Sequence, residues 1–334
     1  MLSCLRINRL CHLRSNMFIQ TAKSFNRNAR GSKLSLKSNE NIITVSDTVS
    51  SSVGFKSLIK PFIFTVSFSG CCFVSASIWQ YEEMRKFALR FMNSRELSSQ
   101  FDPYAPKYTR FKIRRKLNSW WNSQTEGQKI ACAIIGINLC VFLLWRIPYF
   151  YPIMRKYFCA SPALESSCLP MFLSTFSHNS FLHLAANMYV LYSFCTSGVS
   201  FFGKEQFLAF YCSAGVISSF TSYLYKVGTG RFVTTLGASG ALMAILSSMC
   251  FQFPDAQLQI VFLPFLTFSA GHAMKAVMAL DLVGMFAKWK LFDHAAHLGG
   301  AIFGIVYAKY GCDYIWGKRE YIFSLYHNIR ERKE

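Results

Sequence analysis

The sequence predicts an all-α polytopic membrane protein, and three observations carry that prediction. Only 16% of the 334 residues are charged and 52% are hydrophobic, well short of the roughly 25% charge of a soluble domain. The mean hydropathy is +0.25 although the formal net charge is +20, so the basic surplus does not mark a solvated nucleic-acid module. Charge is also missing from long runs: residues 61–81, 166–203, 206–225, 232–254 and 256–274 contain no Asp, Glu, Lys or Arg. Such runs match the ~20 apolar residues that carry a helix across a bilayer. A soluble enzyme, a disordered chain and a collagen are thereby excluded.

Residues 1–57 read as a mitochondrial transit peptide followed by linker. Residues 1–40 hold eight basic residues against the single acid Glu40, with frequent Ser and Asn. They lack the apolar stretch of ~7–15 residues that a secretory signal requires. Residues 58–81 read as an extra N-terminal transmembrane helix, with Trp79 and Tyr81 as interfacial anchors. Residues 82–129 carry 11 Lys+Arg against 5 Asp+Glu and read as a soluble, partly helical, basic connector. Its Trp120-Trp121 pair points to the membrane surface, where its cations would meet anionic lipid such as cardiolipin.

From 130 to 310 the pattern predicts six helices, at 130–145, 171–195, 205–225, 236–253, 271–287 and 292–310. An aromatic, Pro-punctuated loop at 148–170 reads as half-inserted at the interface. Lys275 and Asp281 fall inside the fifth of these helices, and 255–270 forms either part of that span or a re-entrant loop. Residues 311–334 read as a polar tail. The twelve cysteines include no C-x-x-C and mostly behave as small hydrophobes; Cys159 and Cys168 share a loop and would pair only in an oxidising space. The basic leader and the basic connector flank one helix, so the positive-inside rule cannot be satisfied by both.

Polar groups are costly at membrane depth and each asks for a reason. Gly237-Ala238-Ser239-Gly240 opens the fourth of the six helices. An isolated membrane serine would simply bond back to its own helix. Here glycines flank the hydroxyl, and the free N–H groups of a helix start suit a developing oxyanion. Ala296-His297-Leu298-Gly299-Gly300 continues to Gly304, which puts His297, Gly300 and Gly304 on one helical face. The Gly300-x-x-x-Gly304 stripe is suited to close packing against Gly240-x-x-x-Ala244. That packing brings His297 within reach of Ser239 as a general base. His178, His183 and Asn187 lie upstream; His183 and Asn187 are i, i+4 neighbours and supply donors of the kind an oxyanion hole needs.

Gly-x-Ser-Gly, a downstream Ala-His-x-x-Gly and an upstream His-x-x-x-Asn, in that order on separate helices, resemble the rhomboid family of intramembrane serine proteases. The basic leader, the extra first helix and the segments 172–178 and 292–300 resemble its mitochondrial, presenilin-associated rhomboid-like subfamily. The resemblance implies a six-helix rhomboid-like bundle with one extra N-terminal transmembrane helix, in a multi-pass protein of the mitochondrial inner membrane. It implies a Ser–His dyad of Ser239 and His297, with His183, Asn187 and the Ser239 N–H as oxyanion donors and Gly237, Gly240 and Gly300 as support. It implies a dyad without the third carboxylate of soluble triads and gives His294 no catalytic role, while Asp293, at i−4 from His297, and the equivalence of Trp145-Arg146 to the family's Trp-Arg pair stay open.

The implied substrates are single-pass transmembrane proteins, cut in or near their spans, in protein processing, membrane remodelling and quality control. Neither a cofactor nor a metal is expected, and nucleic acid is not a partner. Two other readings compete. A metalloprotease would need His-Glu-x-x-His, whereas the His183 region reads His-Leu-Ala-Ala-Asn. A transporter, channel or inactive binding relative would use the same Gly, His and Ser residues only for packing; internal repeats would favour a transporter, and none is visible.

Overall fold

The computed structural model describes residues 53–97, 112–260, 263–289 and 292–332. The leader expected at 1–40 and the start of the linker lie outside the described residues, as does Arg110 of the connector.

A long helix, α1 (Ile59–Leu97), follows a 3-10 turn at Phe55–Leu58. It runs past Tyr81, where the sequence reading ended it, because Glu82, Glu83, Arg85, Lys86 and Arg90 sustain a helix outside the apolar stretch. Helix α2 (Lys112–Ser123) precedes α3 (Glu126–Leu144), whose N-terminus is closed by a Thr125–Gln128 capping box. The loop at 148–170 contains two short helices, α4 (Tyr151–Tyr157) and α5 (Leu169–Leu173), each with Pro in its first turn. Cys159 and Cys168 are both free thiols.

Helix α6 (Phe181–Phe202) starts later than the apolar run does. Ser180 is extended and its side chain accepts the His183 N–H, so the cap fixes the helix start beyond the turns at 169–176. Helix α7 (Lys204–Thr229) ends at Gly230 with φ +68°, a conformation that costs glycine little. Helix α8 (Ser239–Gln252) leads into a two-stranded antiparallel hairpin, β1 (Gln257–Ile260) and β2 (Leu263–Ser269). Within 255–270, Gln257–Ile260 and Leu263–Ser269 are therefore strand rather than part of the following helix. Gln257, Leu258 and Gln259 alternate polar and apolar as a strand does, and the backbone pairs with itself.

Helix α9 (Ala270–Phe286) and helix α10 (His294–Val306) complete the series, and α10 continues as a π-helix over Tyr307–Trp316. The tail is not a loose polar end. Trp316 is buried with its ring near Phe73, and α11 (Glu320–Glu331) packs along α1. Arg319 donates to Gln80 at 2.7 Å, Tyr326 donates to Glu82 at 3.0 Å, and Arg330 pairs with the same carboxylate.

The core gathers around α6, α7, α8 and α10, with Phe207, Phe210, Tyr211 and Ile245 almost wholly buried. Helix α1 packs on α7, where the Phe62 ring meets Phe220, and its Phe73 ring stacks on Tyr307 at the start of the π-helix. The outer faces are apolar: Ile63 and Val66 on α1, Ile137 and Leu143 on α3, and Leu280, Val283 and Phe286 on α9 are exposed. Water does not tolerate patches of that extent on a soluble monomer, and lipid does. Phe55–Met92, Glu126–Leu144 and Lys204–Thr229 are long and apolar enough to cross a membrane, while Ser239–Gln252 is apolar but shorter. The chain is an all-α polytopic membrane fold, interrupted among the described residues by one hairpin.

Candidate active site

Ser239 is the first residue of α8, and the turn that delivers it is fixed from three sides. Gly237 has φ +134°, a region that L side chains rarely enter. A Cβ on Gly237 would also lie 2.8 Å from the His183 ring. The Gly237 N–H donates to Ser174 O at 2.9 Å, and the Ala238 N–H donates to His178 Nε2 at 3.4 Å. Buried His178 thus holds the backbone one residue ahead of Ser239, a role the motif alone did not reveal.

The glycine stripes meet as their spacing predicts. A Cβ on Gly300 would overlap the carbonyl of Gly240, and one on Gly304 would overlap the carbonyl of Ala244. Ser247 adds a 2.9 Å bond to Ala301 O across the same seam. Contact at that range lets His297 cross to the serine: its Nε2 lies 2.8 Å from Ser239 Oγ. Gly240 itself faces Ser218 of α7, where a Cβ would clash with the hydroxyl.

The other nitrogen of His297 meets a residue to which the sequence reading gave no role. Asp281 of α9 is 5% exposed, and its Oδ1 lies 3.3 Å from His297 Nδ1 and 2.7 Å from His294 Nδ1. With Nδ1 protonated, His297 donates to the carboxylate and accepts the Ser239 O–H. A Cβ on Gly284, one turn beyond Asp281, would lie 2.6 Å from the His294 ring, so that glycine makes room for the second imidazole. A lone carboxylate inside an apolar helix was the available signal. Asp293, the nearer acid in sequence, instead caps α10 by accepting the Ala296 N–H at 3.0 Å.

On the opposite side, the His183 ring lies against Gly237 and meets His178 edge-on at 4.9 Å between centroids. Asn187 is buried one turn further along α6, and its Nδ2 donates to His183 O at 2.8 Å. The structure therefore brings Ser239, His297, Asp281 and His183 together and leaves the Asn187 amide engaged on its own helix. Among the described residues no group of three or more His, Cys, Asp or Glu is arranged to hold a metal ion.

Residues 165–314 match the family model described as the Rhomboid domain. The chain is 44% identical over 341 residues to the presenilin-associated rhomboid-like protein, mitochondrial, of Mus musculus, covering 98% of this chain and 90% of that one. This chain is a rhomboid. The rat protein of the same name is 50% identical over 275 residues, covering 82% of this rhomboid and 72% of the relative. Rhomboid protein 1, mitochondrial, of Saccharomyces cerevisiae is 34% identical over 189 residues, 56% of this chain and 54% of that one. With its apolar helices, this rhomboid is a multi-pass mitochondrial membrane protein. Rhomboids are in general intramembrane serine proteases. In this rhomboid Trp145 and Arg146 close α3: the indole donates to Ser177 Oγ at 2.8 Å and the guanidinium to Asn179 O at 3.2 Å. The pair thereby ties α3 to the turn ahead of α6.

Proposed function

We propose that this rhomboid is a serine endopeptidase of the mitochondrial inner membrane that cuts single-pass membrane proteins in or beside their spans. The observation that carries the reading is the 2.8 Å contact of Ser239 Oγ with His297 Nε2 on two helices sealed by glycine. Ser239 attacks the scissile carbonyl while His297 takes its proton. The oxyanion forms against the free N–H groups at the α8 start, the dipole end that favours negative charge. His183 and Asn187 supply the side-chain donors, Asn187 through the amide N–H not engaged by His183 O. His297 then returns the proton to the leaving amine, and water releases the acyl group by the reverse sequence. Asp281 keeps the Nδ1–H tautomer of His297 and steadies the imidazolium that forms, the part a buried carboxylate plays in soluble triads.

A helical carbonyl is shielded by its own hydrogen bonding, so substrates must unwind locally. Small or helix-weakening residues near the cut fit that demand. In this reading α1, α3 and α6–α10 are the spans, residues 1–57 are a targeting peptide and its linker, and the 82–129 connector lies on the membrane. Helix α2 has the composition for that: Leu117, Trp120 and Trp121 are exposed beside Arg114, Arg115 and Lys116, which suits an anionic lipid surface such as cardiolipin. The test is cleavage of a model single-pass substrate in detergent by the wild type, Ser239→Ala and His297→Ala. Both variants are expected to lose cleavage. Undiminished cutting by Ser239→Ala would end the reading.

A further inference from the structure

Among the described residues Lys226 is the only lysine or arginine that is buried, at 5% exposure near the end of α7. An ammonium is held at such depth only when it is well partnered. Its Nζ donates to Thr235 Oγ1 at 2.8 Å, approaches Ala160 O at 3.5 Å and lies 3.6 Å from Asp293 Oδ2. Each partner is anchored in turn. Thr235 exchanges backbone bonds with Ala160 at 2.8 and 3.0 Å. Asp293 accepts the Ser222 hydroxyl at 2.5 Å and the Ala296 N–H at 3.0 Å.

The two partners matter for where they lead. Thr235 stands four residues ahead of Ser239, in the segment that delivers the nucleophile. Asp293 caps the helix whose first turn carries His297. Ser239 and His297 are 58 residues apart in sequence, and α7 packs against both of their helices. We propose that Lys226 is a positioning residue, which sets the separation of Ser239 and His297 by holding Thr235 and Asp293 with one ammonium. The proposal rests on Ser239 and His297 forming the dyad. An ion pair that served stability alone would need only Asp293; the shorter bond, to Thr235, is what couples the pair to the nucleophile.

The test uses the full chain in detergent with a model single-pass substrate, kcat being expressed per serine titrated by a fluorophosphonate. Thr235→Val removes the acceptor and leaves the ion pair. The double variant Lys226→Met, Asp293→Asn removes both charges, so that neither is left buried alone. A displacement of 1 Å in a catalytic group costs on the order of 100-fold. A partial release is expected to lower kcat per titrated serine by about 3- to 10-fold in Thr235→Val and about 10-fold or more in the double variant. KM should stay within about 2-fold, as for a loss confined to the transition state. Lys226→Arg, which can reach both acceptors, should recover part of the loss. Wild-type kcat per titrated serine in either variant, whatever its Tm, would overturn the proposal and reduce the cluster to fold stability. Cleavage by Ser239→Ala would remove the dyad, and the proposal with it, before any Lys226 variant is compared.

Discussion

At the scale of single residues, His297 is held at both ring nitrogens, and the two contacts differ in what they ask of the protein. The serine contact follows from packing two glycine-lined helices. The carboxylate contact requires a third helix to place Asp281 beside two imidazoles at once. Asp281→Asn keeps the shape and removes the negative charge beside His297 Nδ1. It is expected to lower kcat by about 10- to 100-fold with little change in KM, a loss in the lower part of the range for acid–base assistance. Steady-state kinetics on the model substrate read both constants, and an unchanged kcat would make Asp281 a packing residue. In the proposed mechanism Asn187→Ala should lower kcat by about 100-fold or more, the effect of losing one oxyanion donor at ~2.7–4 kcal/mol. Its rate of labelling by a fluorophosphonate should fall in parallel.

At the scale of elements, the seam between α8 and α10 shows how sequence spacing becomes geometry. Gly300 and Gly304 face the carbonyls of Gly240 and Ala244, so the backbones approach as no larger side chain would permit. Gly300→Ala gains helix propensity of about 1 kcal/mol and loses more to overpacking, which typically costs about 1–3 kcal/mol. The net expectation is a lower Tm together with a loss of cleavage that exceeds the loss of folded protein, because the seam sets the Ser239–His297 distance. Thermal unfolding and activity per folded molecule separate the two effects. Helix positions were largely legible in the uncharged runs, whereas helix starts were not. Ser180 moved the start of α6 through one side-chain cap, and such a bond depends on local backbone shape that hydropathy does not encode. The hairpin strands at 257–260 and 263–269 were hidden for a related reason: most of their residues are as apolar as a span, and a short apolar run reads equally as helix or strand.

At the scale of the whole molecule, α11 packs along α1. Glu82 accepts from Tyr326 and pairs with Arg330, while Tyr81 OH lies 2.6 Å from His327 Nδ1. The basic surplus is thus spent partly on holding the C-terminal helix to the first one. These contacts are half-exposed, and each is worth little by itself. Glu82→Ala should leave the Tm of the bundle nearly unchanged and speed proteolytic removal of α11, because local opening responds to local contacts. Mass spectrometry of early digestion products would show it; identical digestion of wild type and variant would count against a docked tail.

The sequence by itself determined that this protein lives in a membrane and where most of its helices lie, and its spacings put Ser239 and His297 on faces that pack together. Those facts rest on runs of composition and on fixed helical spacings, both carried by neighbouring residues. Only the tertiary structure decided that Asp281 rather than Asp293 faces His297, that Lys226 joins Thr235 to Asp293, and that Asn187 bonds to its own helix. Each of those is a choice of partner between distant or competing groups, and in a bundle that choice is made by the angles and depths at which whole helices pack.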